Sequence, residues 1–225
     1  MIRRSEPPRR WLAGALTGLA CLTPSSNARA EPDGLYGRFD GDLLVVAGAG
    51  AAVEHEGPRL LTYASLTYLS TAGVYARYAD ALGDTSTSRS RTIAAGLELR
   101  PVFLARWGLD LERGPAWLDL LVDSIAIDLG AYGVLGGAPR HTADPPGPWG
   151  PSFEAALSLE APLLGETEGP YLGAQAIARL PSHRFGALAP SADPIEDGSM
   201  IGVVLTWHAL FDAGLVDARR APKER

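Results

Sequence analysis

The chain has 225 residues, a formal net charge of −6 and 46% hydrophobic residues, which suits one domain of ordinary size with a core of its own. A mildly acidic balance with no basic run apart from the Arg219 to Arg225 tail argues against a nucleic-acid partner. The single cysteine, Cys21, excludes an internal disulfide, and no stretch after Ala30 stays apolar for the roughly 20 residues a spanning helix needs, so any membrane location requires a barrel.

In chain order, residues 1–30 read as an export signal of the Sec type. Arg3, Arg4, Arg9 and Arg10 form a basic start, Trp11 to Leu22 is a short apolar run, and Ala28-Arg29-Ala30 fits a small-x-small cleavage site. Gly18-Leu19-Ala20-Cys21 resembles a lipidation box, but Gly18 stands where such boxes usually have Leu, and the Ala-Arg-Ala site competes with it. The expected mature chain therefore starts at Glu31, with a lead-in over 31–40, a barrel domain over 41–211 and a charged tail over 212–225.

From Gly41 onward the sequence divides into eight alternating segments separated by Gly, Pro, Asp and Ser clusters. They run approximately Gly41 to Glu54, Arg59 to Leu69, Gly73 to Ala81, Arg91 to Leu104, Ser124 to Leu135, Ser152 to Pro162, Pro170 to Leu180 and Ser199 to Phe211. Most are near the 9 to 11 residues, roughly, that a tilted strand needs to cross a hydrocarbon layer. The predicted fold is all-β: an eight-stranded antiparallel up-and-down transmembrane barrel with a short amphipathic helix between strands four and five.

Sorting the segments by parity separates two faces. One carries Leu43, Val45 and Val53; Ile93, Leu97 and Leu99; Ile125, Ile127 and Leu129; and Ile201, Val203, Leu205 and Trp207. The other carries Glu54, Arg77, Glu98, Arg100, Asp128, Glu154, Glu160, Gln175, Arg179, Thr206 and His208, together with Gly48, Gly50, Gly96, Gly130, Gly173 and Gly202. Alternation permits a soluble periplasmic barrel with its apolar face inside or a membrane barrel with that face to lipid. Glycines on the ionisable face favour the second, because a narrow lumen needs small residues beside its charges.

The connection Ala105 to Asp123 holds a helical stripe: Pro115 suits a first turn, Trp117, Leu120, Leu121 and Ser124 fall at i, i+3, i+4 and i+7, and Asp119 and Asp123 lie on other faces. Two placements stay open, at the periplasmic membrane surface with Trp107 and Trp117 as anchors, or over the open end of a soluble barrel.

In GVVLTWHALF, Gly202, Leu205 and Trp207 match a Gly-x-x-hydrophobic-x-hydrophobic pattern, followed by Phe211. On these residues and the strand pattern the chain resembles small bacterial outer-membrane β-barrel proteins of the eight-stranded type. Members of that group usually stop at the terminal aromatic, whereas this chain continues from Asp212 to Arg225. The resemblance implies the outer membrane of a Gram-negative cell, outer-membrane lipid around the wall, and insertion by the barrel-assembly machinery. It also implies aromatic girdles, for which Phe39, Tyr68, Phe103, Phe153, Tyr171, Trp207 and Phe211 are the candidates near strand ends.

Chemistry is harder to find. Arg77, Arg100, Arg179, Glu98, Asp128, Glu154, Glu160 and His208 are expected to form a structural ionic network in the lumen, with His208 hydrogen-bonded to lumen carboxylates such as Glu98 or Glu154. His55, His141 and His183 fall in loops near Glu54, Glu56, Asp144 and Asp193 but lack metal-ligand spacing. The acidic segment Asp193 to Gly198 lacks the spacing of a calcium loop. Ser199 and His208 are ~30 Å apart along an extended strand, too far for a nucleophile and its base. No cofactor or catalytic residue is assigned. The expected role is structural or surface-interacting; the alternatives are a small-ligand carrier or narrow transporter through the lumen, and a lipid-modifying outer-membrane enzyme.

Overall fold

The computed structural model of the chain describes residues 36, 38, 41–55, 57–82, 91–109, 111, 114–136, 152–180 and 199–215. The export signal, most of the lead-in, the charged end of the tail, and the loop residues Phe39, Glu56, His141, Asp144, His183 and Asp193 lie outside the described residues.

Eight antiparallel strands close into one barrel: β1 (Leu43–Glu54), β2 (Gly57–Tyr68), β3 (Ala72–Ala81), β4 (Arg91–Leu99), β5 (Ala126–Gly136), β6 (Ser152–Pro162), β7 (Gly169–Leu180) and β8 (Met200–Phe211). Each strand pairs with its sequence neighbours, and β1 pairs with β8 from Leu43↔Phe211 to Glu54↔Met200, so no strand edge is left open. Chain direction puts the connections after β1, β3, β5 and β7 at one end, called here the loop end. The turns after β2 and β6 lie with the β1 start and the β8 end at the other, the base.

Alternation decides which side chains enter. Leu157 and Leu205 are each 55% exposed, whereas Glu98 and Glu154 are 0% exposed. The ionisable face therefore points to the axis and the apolar face outward. On the outer wall the charges among the described strand residues are Asp80 and Arg91, which face each other across β3 and β4 at the loop end with 3.6 Å between Arg91 Nε and Asp80 Oδ2. Glycines make room inside: Gly96 and Gly130 are opposed across β4 and β5, and a Cβ on Gly130 would stand 2.7 Å from the Tyr75 hydroxyl. At the loop end, the β1–β2 turn closes on Gly57 at φ +136°, a conformation open chiefly to glycine.

Two helices, rather than one, fill the connection from β4 to β5: α1 (Pro101–Gly108) and α2 (Ala116–Asp123). Strand four consequently ends at Leu99 and not at Leu104. Its last pairing is Leu99 with Ala72, and the Arg100 N–H then goes to Thr71 O at 2.7 Å. Pro101 has no N–H to continue a ladder but fits the first position of a helix. The apolar run Val102-Phe103-Leu104 is compatible with either state, and the proline decides it.

The helices close the base. Phe103, 1% exposed, enters the mouth with the Arg38 guanidinium 4.7 Å above its ring, and Leu120 is buried beside it. Asp119 and Asp123, expected off the apolar stripe, are both buried. Their partners explain this: Arg38 Nη1 reaches Asp123 Oδ2 at 2.6 Å, Arg106 Nη1 reaches Asp123 Oδ1 at 2.8 Å, Arg106 Nη2 bonds Asp119, and the Tyr36 hydroxyl donates to Asp119 at 2.7 Å. The lead-in thus straps the cap onto the barrel. Asp42 ties the other terminus to the same end, its carboxylate accepting the Ala213 N–H at 2.6 Å.

Of the girdle candidates, Tyr68, Trp207 and Phe211 lie on the outer wall at the base, and Phe153 on the outward parity of β6 at the loop end. Phe103 and Tyr171 do not belong there. Both are interior, Phe103 because it lies on the mouth-facing side of α1 and Tyr171 because it shares inward parity with Gln175 and Arg179 on β7.

Candidate functional site

Among the described residues, the lumen gathers ionisable side chains from every strand, and period 2 is what turns them inward. Arg77 on β3 is the hub. Its Nη2 meets Asp128 Oδ2 of β5 at 2.6 Å, its Nη1 bonds Glu154 of β6, and its Nε donates to Gln175 of β7 at 3.3 Å. Glu154 is bound a second time by Arg179 Nε at 2.7 Å, and Arg179 also donates to the Thr92 hydroxyl at 3.0 Å. Aromatic faces complete the setting: Arg77 lies 5.0 Å from the Tyr75 ring centre and 5.4 Å from that of Tyr63, and Arg179 lies 4.9 Å from that of Tyr132.

A second set occupies the base. Glu98 accepts Arg100 Nε at 2.8 Å and the Tyr63 hydroxyl at 2.9 Å. Glu160 holds His208 Nε2 at 3.1 Å and the Thr206 hydroxyl at 2.8 Å, with Arg100 Nη2 at 3.8 Å. The His208 ring stacks on Tyr171 with 3.8 Å between centres. Below this set, Arg38, Arg100, Phe103, Asp123, Tyr171 and His208 line a small cavity under the helical cap.

Toward the loop end of β1, β2, β7 and β8 the lumen turns apolar. Ala52, Leu61, Ala79, Ala156, Ile177, Met200 and Val204 form a buried cluster there, with the ion pair of Arg59 and Glu54 at the ends of β1 and β2. The Arg179–Glu154 pair lies toward the loop end as well, on the β6 and β7 side, and Leu44 and Val46 add an apolar patch near the base of β1.

All eight residues expected in the network face the axis, and the structure brings them into two linked groups. His208 meets a lumen carboxylate, and of those on the polar face it is Glu160. The reason is Gly173, which stands opposite Glu160 on β7, between β6 and β8; a Cβ there would be 3.3 Å from the Glu160 side chain, so the glycine leaves Glu160 free to reach β8. Arg59, Tyr63, Tyr75 and Tyr132 were not among the expected network residues. Their signal was parity, since Tyr63 follows Arg59 by four, Tyr75 precedes Arg77 by two and Tyr132 follows Asp128 by four.

No protein-family model and no curated protein matches this chain. Chemical reading therefore rests on geometry. Ser199 is at the loop end, where its hydroxyl accepts the Arg179 N–H at 3.3 Å, while His208 lies at the base. The two are not brought together. Among the described residues, no group of three or more His, Cys, Asp or Glu side chains is arranged to hold a metal ion. What the arrangement can do is hold: each network carboxylate is bound by a guanidinium or by His208, which ties strands on opposite sides of the barrel to one another.

Electrostatics at the cap gives a pH dependence. Burial pushes the Asp119 carboxyl up, but hydrogen bonds from the Tyr36 hydroxyl, Arg106 and the Gly114 N–H outweigh it and hold the group below the ordinary value of 3.8. A depressed carboxyl stabilises the fold fully above that ordinary value, and the contribution is lost as pH falls through the lower folded one. Amide protection in Ala116–Asp123 is expected to drop below pH 3.8 in the natural chain and to drop less in Asp119→Asn. Equal acid profiles for the two proteins would sink the assignment.

Proposed function

We propose that this chain is an outer-membrane β-barrel protein of a Gram-negative cell whose lumen is a packed ionic core and whose role is structural or surface-interacting, without catalysis. One observation carries the location: the closed sheet puts Leu97, Leu157, Val203 and Leu205 outward and Arg77, Glu98, Asp128 and Glu154 inward. A barrel standing in water gains by burying the first set and exposing the second. In acyl chains the preference reverses, and closure removes every unpaired strand edge that lipid would penalise. The basic start and Ala28-Arg29-Ala30 site support export on the same reading.

The lumen bears on role. A carrier or narrow transporter needs free volume along the axis, and eight strands leave little beyond what side chains occupy. Here Arg77, Arg179 and Tyr63 cross that space, with an apolar cluster toward the loop end. This supports the structural role over transport. The connections at the loop end then become the parts of the chain available to a partner.

The test is fractionation of the full chain expressed in a Gram-negative host. The protein is expected with outer membranes, extractable by detergent, and migrating differently on gels before and after boiling. Recovery as a freely soluble periplasmic protein without detergent overturns the reading.

A further inference from the structure

The cap at the base repeats the polarity of the wall. In α1 and α2 the charged side chains are Arg106, Asp119 and Asp123, and all turn inward to each other and to the lead-in residues Tyr36 and Arg38. Their outward faces carry Leu104 (51% exposed) and Trp107 on α1 and Trp117 and Leu118 on α2, with no charge among them. A helical pair standing in water places its charges outside and its Leu and Trp inside. This one buries Phe103 and Leu120 but also turns its three charged residues inward, leaving Leu104, Trp107, Trp117 and Leu118 outside.

The apolar surface is also continuous with the barrel wall. The Trp117 indole N–H donates to Pro162 O at 3.0 Å, and the Glu160 N–H donates to the Ser124 hydroxyl at 2.8 Å, so α2 is docked on the base end of β6. Outward residues Leu157 and Leu159 of β6 lead into Leu163 and Leu164 of the following turn, which is 67% exposed at Leu164. The base end of the wall, the Leu163-Leu164 part of the turn and the cap form one apolar surface, bordered in the turn by the exposed Glu166.

We propose that the outer face of the helical cap is a lipid-binding collar, seated in the headgroup and upper acyl region of the leaflet on the base side. The occupant is phospholipid. The proposal rests on the membrane-barrel reading, from which it takes the continuity of surface. Two tryptophans among aliphatic residues at the end of an apolar wall suit the boundary between hydrocarbon and water, where an amphipathic ring is favoured. In this arrangement the Arg106, Asp119 and Asp123 set plugs the mouth while the opposite faces anchor the plug in the bilayer.

The test uses nitroxide labels on the full chain, in a Cys21→Ser background that leaves no other thiol. Leu104→Cys and Leu118→Cys place labels on the cap, and Leu157→Cys and Val203→Cys place them on the wall. Folded protein in phosphatidylethanolamine and phosphatidylglycerol vesicles is then probed with oxygen, which partitions into lipid, and a nickel chelate, which stays in water. Expected is a several-fold excess of oxygen over nickel collisions at wall sites and a smaller excess in the same direction at cap sites. Nickel-dominated collisions at the cap with a lipid-exposed wall overturn the collar and leave the membrane barrel standing. Exclusion of both probes from the cap means that protein, such as a second copy of the chain, covers it, and this also overturns the collar. Nickel-dominated collisions at the wall overturn the membrane reading and the collar with it.

Discussion

Arg77→Met is expected to destabilise the folded barrel by about 3–5 kcal/mol, the loss that follows when one partner of a buried ion pair is removed and the other stays behind. The cost falls unevenly on its two carboxylates. Glu154 retains Arg179 at 2.7 Å and the Tyr75 hydroxyl at 3.3 Å. Asp128 retains no described partner, since Oδ2 is bound by Arg77 alone and Oδ1 by nothing. Its side chain is 0% exposed, so water does not compensate. Most of the loss should therefore be carried by Asp128, and Arg77→Met with Asp128→Asn should recover a large part of it. Arg100→Ala is expected to cost less, because Glu98 keeps the Tyr63 hydroxyl and Glu160 keeps His208 and Thr206. Urea unfolding in vesicles, followed by tryptophan fluorescence, reads all three. An Arg77→Met midpoint equal to that of the natural chain, or no recovery in the double variant, would count against a lumen held together by ion pairs.

Much of this network was legible because the property that builds it is local. Alternation from Ser152 to Pro162 reproduces β6 to the residue, and the same parity sends Glu154 and Glu160 to one side and Leu157 and Leu159 to the other. Which carboxylate meets which guanidinium is another matter. That choice depends on register across several strands, and on the absence of a side chain at Gly173, neither of which periodicity contains. The partners of the cap were hidden for a related reason. Asp119 and Asp123 look like solvent-facing residues of an amphipathic helix until Tyr36 and Arg38 arrive from 83 and 85 residues away. Phe103 was assigned to a strand because an apolar run of its length suits either state, and the single residue that settles it, Pro101, acts through an N–H it does not have.

Leu157→Arg is expected to separate lipid from water as the solvent of the outer wall. Leu157 is at the middle of β6, 55% exposed, beside Ile127 of β5 and Ala176 of β7. In a bilayer this position falls near the midplane, where an arginine on the lipid face costs about 2–4 kcal/mol; near the interfaces the cost falls to about 0–1 kcal/mol. Ala178→Arg, toward the loop end of β7 on the same wall, supplies that second depth. The signature is the gradient between them. A barrel with its outer wall in water has no such gradient, since an exposed substitution away from packed features is usually worth within about 0.5 kcal/mol wherever it stands. Neither variant touches the lumen, because both side chains leave the sheet on the side opposite Glu154 and Arg179, so a loss confined to Leu157→Arg cannot be charged to the ionic core. Urea titration of both proteins in phosphatidylcholine vesicles gives the comparison. Equal stabilities for the two variants would remove the depth dependence that lipid alone imposes, and the inverted polarity of this sheet would need a different covering for its apolar face.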